Sequence, residues 1–316
     1  MKKIAITGAA GNLGGLLAQA MKDMDVHLNL LVHHKDVDEN LKQKKNISVF
    51  NVDLAKKETL FKAFQHVDVI IHFAGVLFKA NPEKFLPTTN THYFHNLLTV
   101  AVRQKVKRVI LISFPHVEGE STLERPAHGI LSGNPQSMHA RTRLEEEELL
   151  FQYGDKYQFE AVSLRVGMVY GKGILMIDAA QWFARHWLLG IWKKPTYIHL
   201  ISKNDFIDAT IAAAINPDIR GIYHIGDEGI QTLQQFLDDI TVYKGNHKPW
   251  RMPVWMIMTV ARTFELFSKV FNTRSPLTVD FIKIGMVSYY GDTRRMRQEL
   301  LPHLRYGTYR EAMELF

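Results

Sequence analysis

The chain has 316 residues, 46% of them apolar and 22% charged, with a net charge of +7 and no cysteine. That is enough to bury a large core, and it excludes disulfides, thiol nucleophiles and thiolate metal sites. No apolar run approaches the ~18 residues of a membrane span, and the N-terminal apolar stretch is too short for a leader. A cytoplasmic setting is therefore expected. The basic residues are scattered without a dense aromatic-interleaved run, so nucleic acid is not an expected partner.

In chain order, residues 2–15 (KKIAITGAAGNLGG) read as a short strand, a glycine turn and the start of a helix. Gly8, Gly11 and Gly14, with Asn12 and Leu13 between them, form the GxxGxxG spacing. Such a turn lets backbone amides approach a pyrophosphate at a helix N-terminus. A second strand over 27–32 runs into His33, His34 and Lys35 before any carboxylate appears. Basic residues there suit a 2′-phosphate, so NADP(H) is favoured over NAD(H), a solvated turn being the alternative. A third strand (47–52) leads to Asp53 and Leu54, where Asp53 either meets an adenine amine or caps the next helix. A fourth, near-continuous apolar strand (67–73) ends in Ala74 and Gly75, small enough to pass close to a cofactor. A helix carrying Asn90 and a fifth strand (106–113) follow. Strands alternating with helices in units of about thirty residues specify a doubly wound α/β sheet.

At this point the chain resembles the extended short-chain dehydrogenase/reductase superfamily, of the epimerase/dehydratase type. The resemblance rests on TGAAGNLG, VDL at 52–54, IHFAG at 71–75, Asn90 with its following NLL, KRVILIS, LRVGMVYGKG at 164–173, IHLISKNDFIDA at 198–209, GIYHIGD at 221–227 and GDTRRMRQEL at 291–300. It implies a Rossmann domain (1–166 and 198–225) and a smaller, discontinuous C-terminal substrate domain (167–197 and 226–316). It also implies chemistry by a Ser or Thr with a Tyr and a Lys spaced YxxxK, the cation lowering the phenol pKa for proton exchange. The chain departs from that pattern. Phe114 stands at the Ser/Thr position, and SMHARTRLEEEE places His139 and Arg143 where Tyr and Lys are expected. Two readings follow. Either His139 is the acid or base and Arg143 the cofactor anchor, with Asn90 in support, or the chain is a catalytically inactive, cofactor-bound sensor or scaffold.

The acidic run Glu145–Glu148 reads as a solvated helix face, with Arg141–Glu145 and Arg143–Glu147 as i, i+4 pairs. Met168, where nucleotide-sugar enzymes of the resembled family carry Asn, argues for a small, rather apolar carbonyl or alcohol substrate. The stretch from Trp182 to Trp192 and the helix over 253–271 are apolar, apart from a narrow stripe of Arg262, Glu265 and Lys269 on the latter. Burial in the small domain is the commoner meaning of such stripes; a pocket for a lipid-like molecule or contact with a membrane surface are the alternatives. No HxxxH or HExxH occurs, and His92 with His95 lack a third ligand, so no metal is expected. Self-association as a homodimer is left open.

Overall fold

The computed structural model describes residues 1–75, 81–271, 275 and 277–316. In chain order its main elements are β1 (Lys2–Thr7), α1 (Asn12–Met21), β2 (Val26–Val32), α2 (Glu39–Lys42), β3 (Ile47–Asn51), α3 (Lys57–Ala63), β4 (Val69–His72), α4 (Tyr93–Arg103), β5 (Arg108–Ser113), α5 (Met138–Tyr157) and β6 (Glu160–Val166). Then come β7 (Met168–Tyr170), α6 (Leu175–Arg185), β8 (Gly190–Trp192), β9 (Tyr197–Ile198), β10 (Leu200–Ser202), α7 (Lys203–Ile215), β11 (Gly221–Ile225), β12 (Gln231–Thr232), α8 (Leu233–Tyr243), β13 (Trp250–Met252), α9 (Val254–Val270), α10 (Val279–Gly285) and α11 (Arg294–Glu299).

Seven of these strands form one sheet in the order β11-β6-β5-β4-β1-β2-β3, parallel throughout. This is the doubly wound fold expected from the strand–helix alternation. The side-chain period of two sends Ile4 and Ile6 of β1 into one core with Leu17, Leu28, Leu30 and Phe206. Ala5 points into the other, with Leu60, Leu97, Val109 and Leu150. Both faces are dry, which is why the strands read as apolar runs rather than alternating ones.

Strand order reverses on either side of β1, so a crevice opens between the C-terminal ends of β1 and β4, where Thr7 and His72 stand opposite each other. In open α/β sheets ligands bind at such a switch point. α5 runs along the opposite side of the crevice. Ser137 caps it, its hydroxyl accepting from the amide of Ala140 at 3.1 Å, and Gln158 ends it at a φ of 57°.

Two readings that the sequence left with alternatives are narrowed here. Asp53 does not cap α3, whose N-cap is Lys56; its carboxylate instead accepts from the amide of Ala55 at 3.0 Å within its own turn. The apolar stretches of the C-terminal part are not mainly core either. Ile191 and Trp192 are buried, but Trp182, Trp187 and Leu188 face solvent, and α9 buries only Ile257, Ala261 and Ser268. What fills the core beneath the sheet on that side is the chain end: Phe316 stacks on Tyr170 at 5.6 Å, and Phe236 meets Tyr309 edge-on at 5.1 Å.

Candidate active site

The glycine turn closes as its spacing requires. Gly8 has a φ of +68°, and the amide of Gly11 donates to its carbonyl at 2.8 Å. A Cβ on Gly14 would stand 2.5 Å from that carbonyl oxygen, so only glycine lets α1 lie this close to the turn. Gly11 caps α1 without a side-chain hydrogen bond and the first turn carries no acid, which leaves the leading amides for an anion. Asn12 has a job that its place in the motif does not reveal. Its amide donates to the carbonyl of Gly173 at 2.6 Å and accepts from the amide of Leu175 at 3.1 Å, fastening the loop before α6 to the turn. Leu13 packs against the core behind the sheet.

A cleft of about 280 Å³ lies beside α1, lined among others by Ala9, Gly11, Asn12, Gln19, Asp36 and Asp38. A glycine cradle, uncapped helix amides and an adjoining cleft fit a dinucleotide. His33, His34 and Lys35 are exposed and do not line that cleft; the two imidazoles lie 3.7 Å apart between ring centroids. The polar side chains in the lining include carboxylates instead. Asp36 is tied to Lys42 at 2.5 Å, and that contact, with the amide of Val37, holds its carboxyl below the usual range. On the next strand the Asp53–Leu54 turn is fixed from α4, where Asn96 donates to the carbonyl of Leu54 at 3.0 Å.

At the crevice Arg143 reaches the small residues after β4, and Asn90 meets α5. Thr7 and His72 share a hydrogen bond of 2.8 Å, and the Thr7 hydroxyl also accepts from the amide of Ala74 at 3.4 Å. A Cβ on Gly75 would lie 3.1 Å from Nη2 of Arg143, so the guanidinium reaches the place where the small residues leave room. Asn90, buried in a π-helical turn (Pro87–His92), donates to the hydroxyl of Thr142 at 3.1 Å. π-turns of this kind occur often at functional sites. Phe114 is half-buried and packs on the imidazole of His116 at 5.5 Å, itself 4.3 Å from the ring of Tyr289. The neighbouring Ser113 Oγ is buried and has no hydrogen-bond partner among the described residues.

His139 is 7% exposed and meets Asp280 of α10, Nδ1 to Oδ2 at 2.5 Å. Burial alone would raise the Asp280 carboxyl; the His139 hydrogen bond and charge, with the amides of Met138 and His139, outweigh it and hold the group below its usual value. An ionised carboxylate only accepts, so the proton between the two groups lies on Nδ1. Asp280 lies 141 residues from His139, and nothing local in the sequence marks it.

The acidic run is the solvated face expected only at Glu145 and Glu148, which are exposed. Glu146 and Glu147 are both fully buried, and Arg143 pairs with Glu146 at 2.9 Å rather than with Glu147. Glu147 turns inward to Arg165, whose Nη2 lies 2.5 Å away, and accepts from Ser163 at 2.9 Å. Glu145 is taken by the hydroxyl of Thr91 at 2.6 Å. The reason is geometric: a helix over a parallel sheet has no polar face where it also meets a neighbouring loop. Positions 139, 143 and 146 share one side of α5, a period that would have singled out Glu146.

Neither carboxyl oxygen of Glu146 has a hydrogen-bond partner; besides Arg143 it faces Nε2 of His72 at 3.9 Å. Burial pushes the Glu146 carboxyl up to about 7, with Arg143 opposing and Glu147 and Glu145 adding. Burial, followed by the charge of Arg143, pushes His72 down to about 3, so its ring is neutral. A carboxyl raised in the folded state binds a proton that the unfolded chain releases. Its contribution is therefore favourable below the ordinary value of 4.5 and is lost as pH rises to 7, a swing of roughly 3 kcal/mol. Glu146→Gln should thus gain stability relative to the parent as pH rises from 5 to 8, seen as a widening difference in Tm. A difference that stays flat over this range would mean that another group titrates.

A model of the NAD dependent epimerase/dehydratase family matches residues 4–210. The chain is 29% identical over 165 residues to a uronate dehydrogenase of Pseudomonas syringae pv. tomato, covering 52% of this chain and 58% of that one. It is 23% identical over 182 residues to an L-arabinose 1-dehydrogenase (NAD(P)(+)) of Haloferax volcanii, covering 53% and 67% respectively. The chain thus spans little more than half the length of the uronate dehydrogenases it matches, the second being from Pseudomonas putida at 60%. Among solved structures, UDP-glucose 4-epimerase of Thermotoga maritima superposes with a TM-score of 0.76 at 16% identity, covering 99% of this chain and 96% of that one. UDP-glucuronic acid 4-epimerase of Bacillus cereus, in complex with UDP-glucuronic acid and NAD, gives 0.75 at 19% over 99% and 97%. At such identities the superpositions speak for the fold alone. With the family model covering the glycine turn, the crevice and α5 together, this chain belongs to the NAD-dependent epimerase/dehydratase family.

Proposed function

We propose that the protein is an NADP(H)-linked oxidoreductase acting on a small, rather apolar alcohol or carbonyl, with His139 as its proton-transfer group. The observation that carries this reading is the His139–Asp280 pair on the crevice side of α5, one turn from Arg143, where the family resemblance places tyrosine and lysine.

A bound nicotinamide would supply or accept the hydride. The residues of this chain do the rest. Asp280 holds the imidazole in one tautomer, so Nε2 takes the hydroxyl proton when an alcohol is oxidised and returns it in the reverse direction. Arg143 stands beside Gly75 as the cofactor anchor; a guanidinium cannot deprotonate, so it acts as a fixed charge. Glu146 restrains that charge and lessens it once ionised. Phe114 and Met168, at positions where the family resemblance expects polar groups, suit an apolar substrate. Preference for the 2′-phosphate is supported by the exposed His33, His34 and Lys35 directly before Asp36, whose own charge is already met by Lys42. A cysteine-free chain suits a reducing cytoplasm.

A titration read by tryptophan quenching should give NADPH binding at least about tenfold tighter than NADH. His139→Ala should then lower turnover by about a hundredfold or more with cofactor affinity nearly intact. Equal or reversed cofactor affinities would discard the 2′-phosphate argument, and unchanged turnover would remove His139 from the chemistry. The missing hydroxyl at Phe114 and the neutralising contact of Glu146 favour one second reading, a cofactor-bound sensor or scaffold. It predicts that bound NADPH is never oxidised across a broad carbonyl panel and that a partner distinguishes the two redox forms.

A further inference from the structure

Two segments, 182–197 and 242–271, carry a distinct surface. They contain eight lysines and arginines against one carboxylate, Glu265, a surplus of seven that equals the net charge of the whole chain. The remaining 270 residues balance, with 31 basic and 31 acidic side chains. All eight cations are exposed. Glu265 is engaged inward, accepting from the amide of Val279 at 2.9 Å, and Arg251 also meets Asp238 at 2.7 Å.

The same segments hold two-thirds of the exposed large apolar side chains among the described residues, including Trp182, Trp187, Trp250 and Trp255, four of the five tryptophans. Backbone pairing of β8 with β13 joins the segments, and the indole of Trp250 donates to the carbonyl of Trp187 at 3.0 Å. α9 leaves directly from β13. Its buried side is the narrow one, whereas Trp255, Leu266, Phe267 and Val270 on its outer arc are 56–69% exposed, with Arg262 and Lys269 at the rim.

We infer that this face docks reversibly on an anionic lipid bilayer, α9 lying in the plane of the interface. Indole rings sit at the headgroup level, phenyl and aliphatic side chains enter the acyl boundary, and the cations meet acidic headgroups. A second copy of the chain is the poorer occupant: an isologous contact would set one sevenfold positive surplus against another. The inference is independent of the catalytic reading, since no residue of this face belongs to the crevice.

The test is cosedimentation of the full chain with vesicles of phosphatidylglycerol and phosphatidylcholine, beside pure phosphatidylcholine vesicles, at low and high salt. Binding to the anionic vesicles should exceed that to neutral ones by at least about tenfold and fall with salt. Lys269→Gln should weaken it about fivefold. Trp255→Ser with Phe267→Ser should weaken it by about tenfold or more, with the circular dichroism of the free protein unchanged. Absence of binding to anionic vesicles, or equal binding by these variants, would overturn the inference. So would a dimer in light scattering that the Trp255/Phe267 double variant dissociates.

Discussion

Gly14→Val is expected to reduce dinucleotide affinity by about a hundredfold or more. The Cβ of any other residue would stand 2.5 Å from the carbonyl oxygen of Gly8 and 3.1 Å from its carbonyl carbon, both backbone atoms that cannot swing aside. Relief requires the turn and α1 to separate. Gly8 has little room to yield, because a Cβ there would already be 3.1 Å from the amide of Ala74. The leading amides of α1 and the bend that aims them would then be displaced together. Losing about 3 kcal/mol of anion stabilisation corresponds to the stated factor. Tryptophan quenching by NADPH measures it, and near-parental affinity in a folded Gly14→Val protein would show that the turn is not the cradle.

Arg165→Met is expected to cost about 3–5 kcal/mol of stability, a fall in Tm on the order of 10 °C. Arg165 is wholly buried between β5 and β11. Its Nε lies 3.1 Å from each carboxyl oxygen of Glu147, its Nη1 pairs with Glu118, and its Nη2 donates to the carbonyl of Ile130 at 2.8 Å. Glu118 is further shared with Nε2 of His224 at 3.0 Å. Burial would raise the Glu118 carboxyl, but the His224 hydrogen bond and the Arg165 charge hold it down, so it stays ionised and depends on them. Methionine fills the space yet leaves two buried carboxylates without their cation. The double variant Arg165→Met/Glu147→Gln removes one of them and should recover part of the loss. A single variant that melts within a degree or two of the parent would mean that the network contributes little.

These two positions differ in how they can be found. Gly14 is legible from spacing alone, because a turn that must approach a helix has a local signature. The partners of Arg165 come from the turn after β5, from the loop before α5 and from α5 itself, and sequence offers no reason to join them. The same division runs through the crevice. His139 and Arg143 are visible as departures from a helical motif, and their side of α5 follows from a period of 3.6. Asp280, which sets the tautomer of His139, is not visible, because only folding brings α10 across α5. The run Glu145–Glu148 misleads for the opposite reason. Charge implies solvent on average, but Glu146 pairs with Arg143 of its own helix and Glu147 with Arg165 of β6, so partners rather than composition decide their burial. α9 misleads in the reverse sense: Ile257, Ala261 and Ser268 form its narrow buried side, and the wider apolar arc is turned outward.

By itself the sequence determined the doubly wound sheet, the glycine turn and the places where proton-transfer groups depart from the family pattern. These depend on local periodicity, on backbone freedom and on residue identity at fixed spacings. Only the tertiary structure decided which carboxylate faces His139, which one opposes Arg143, which side chains line the cleft beside α1 and which apolar faces stay in solvent. Most of these are contacts between segments tens to hundreds of residues apart. Their energy arises from desolvation and charge pairing at the point of contact, which no single stretch of chain encodes.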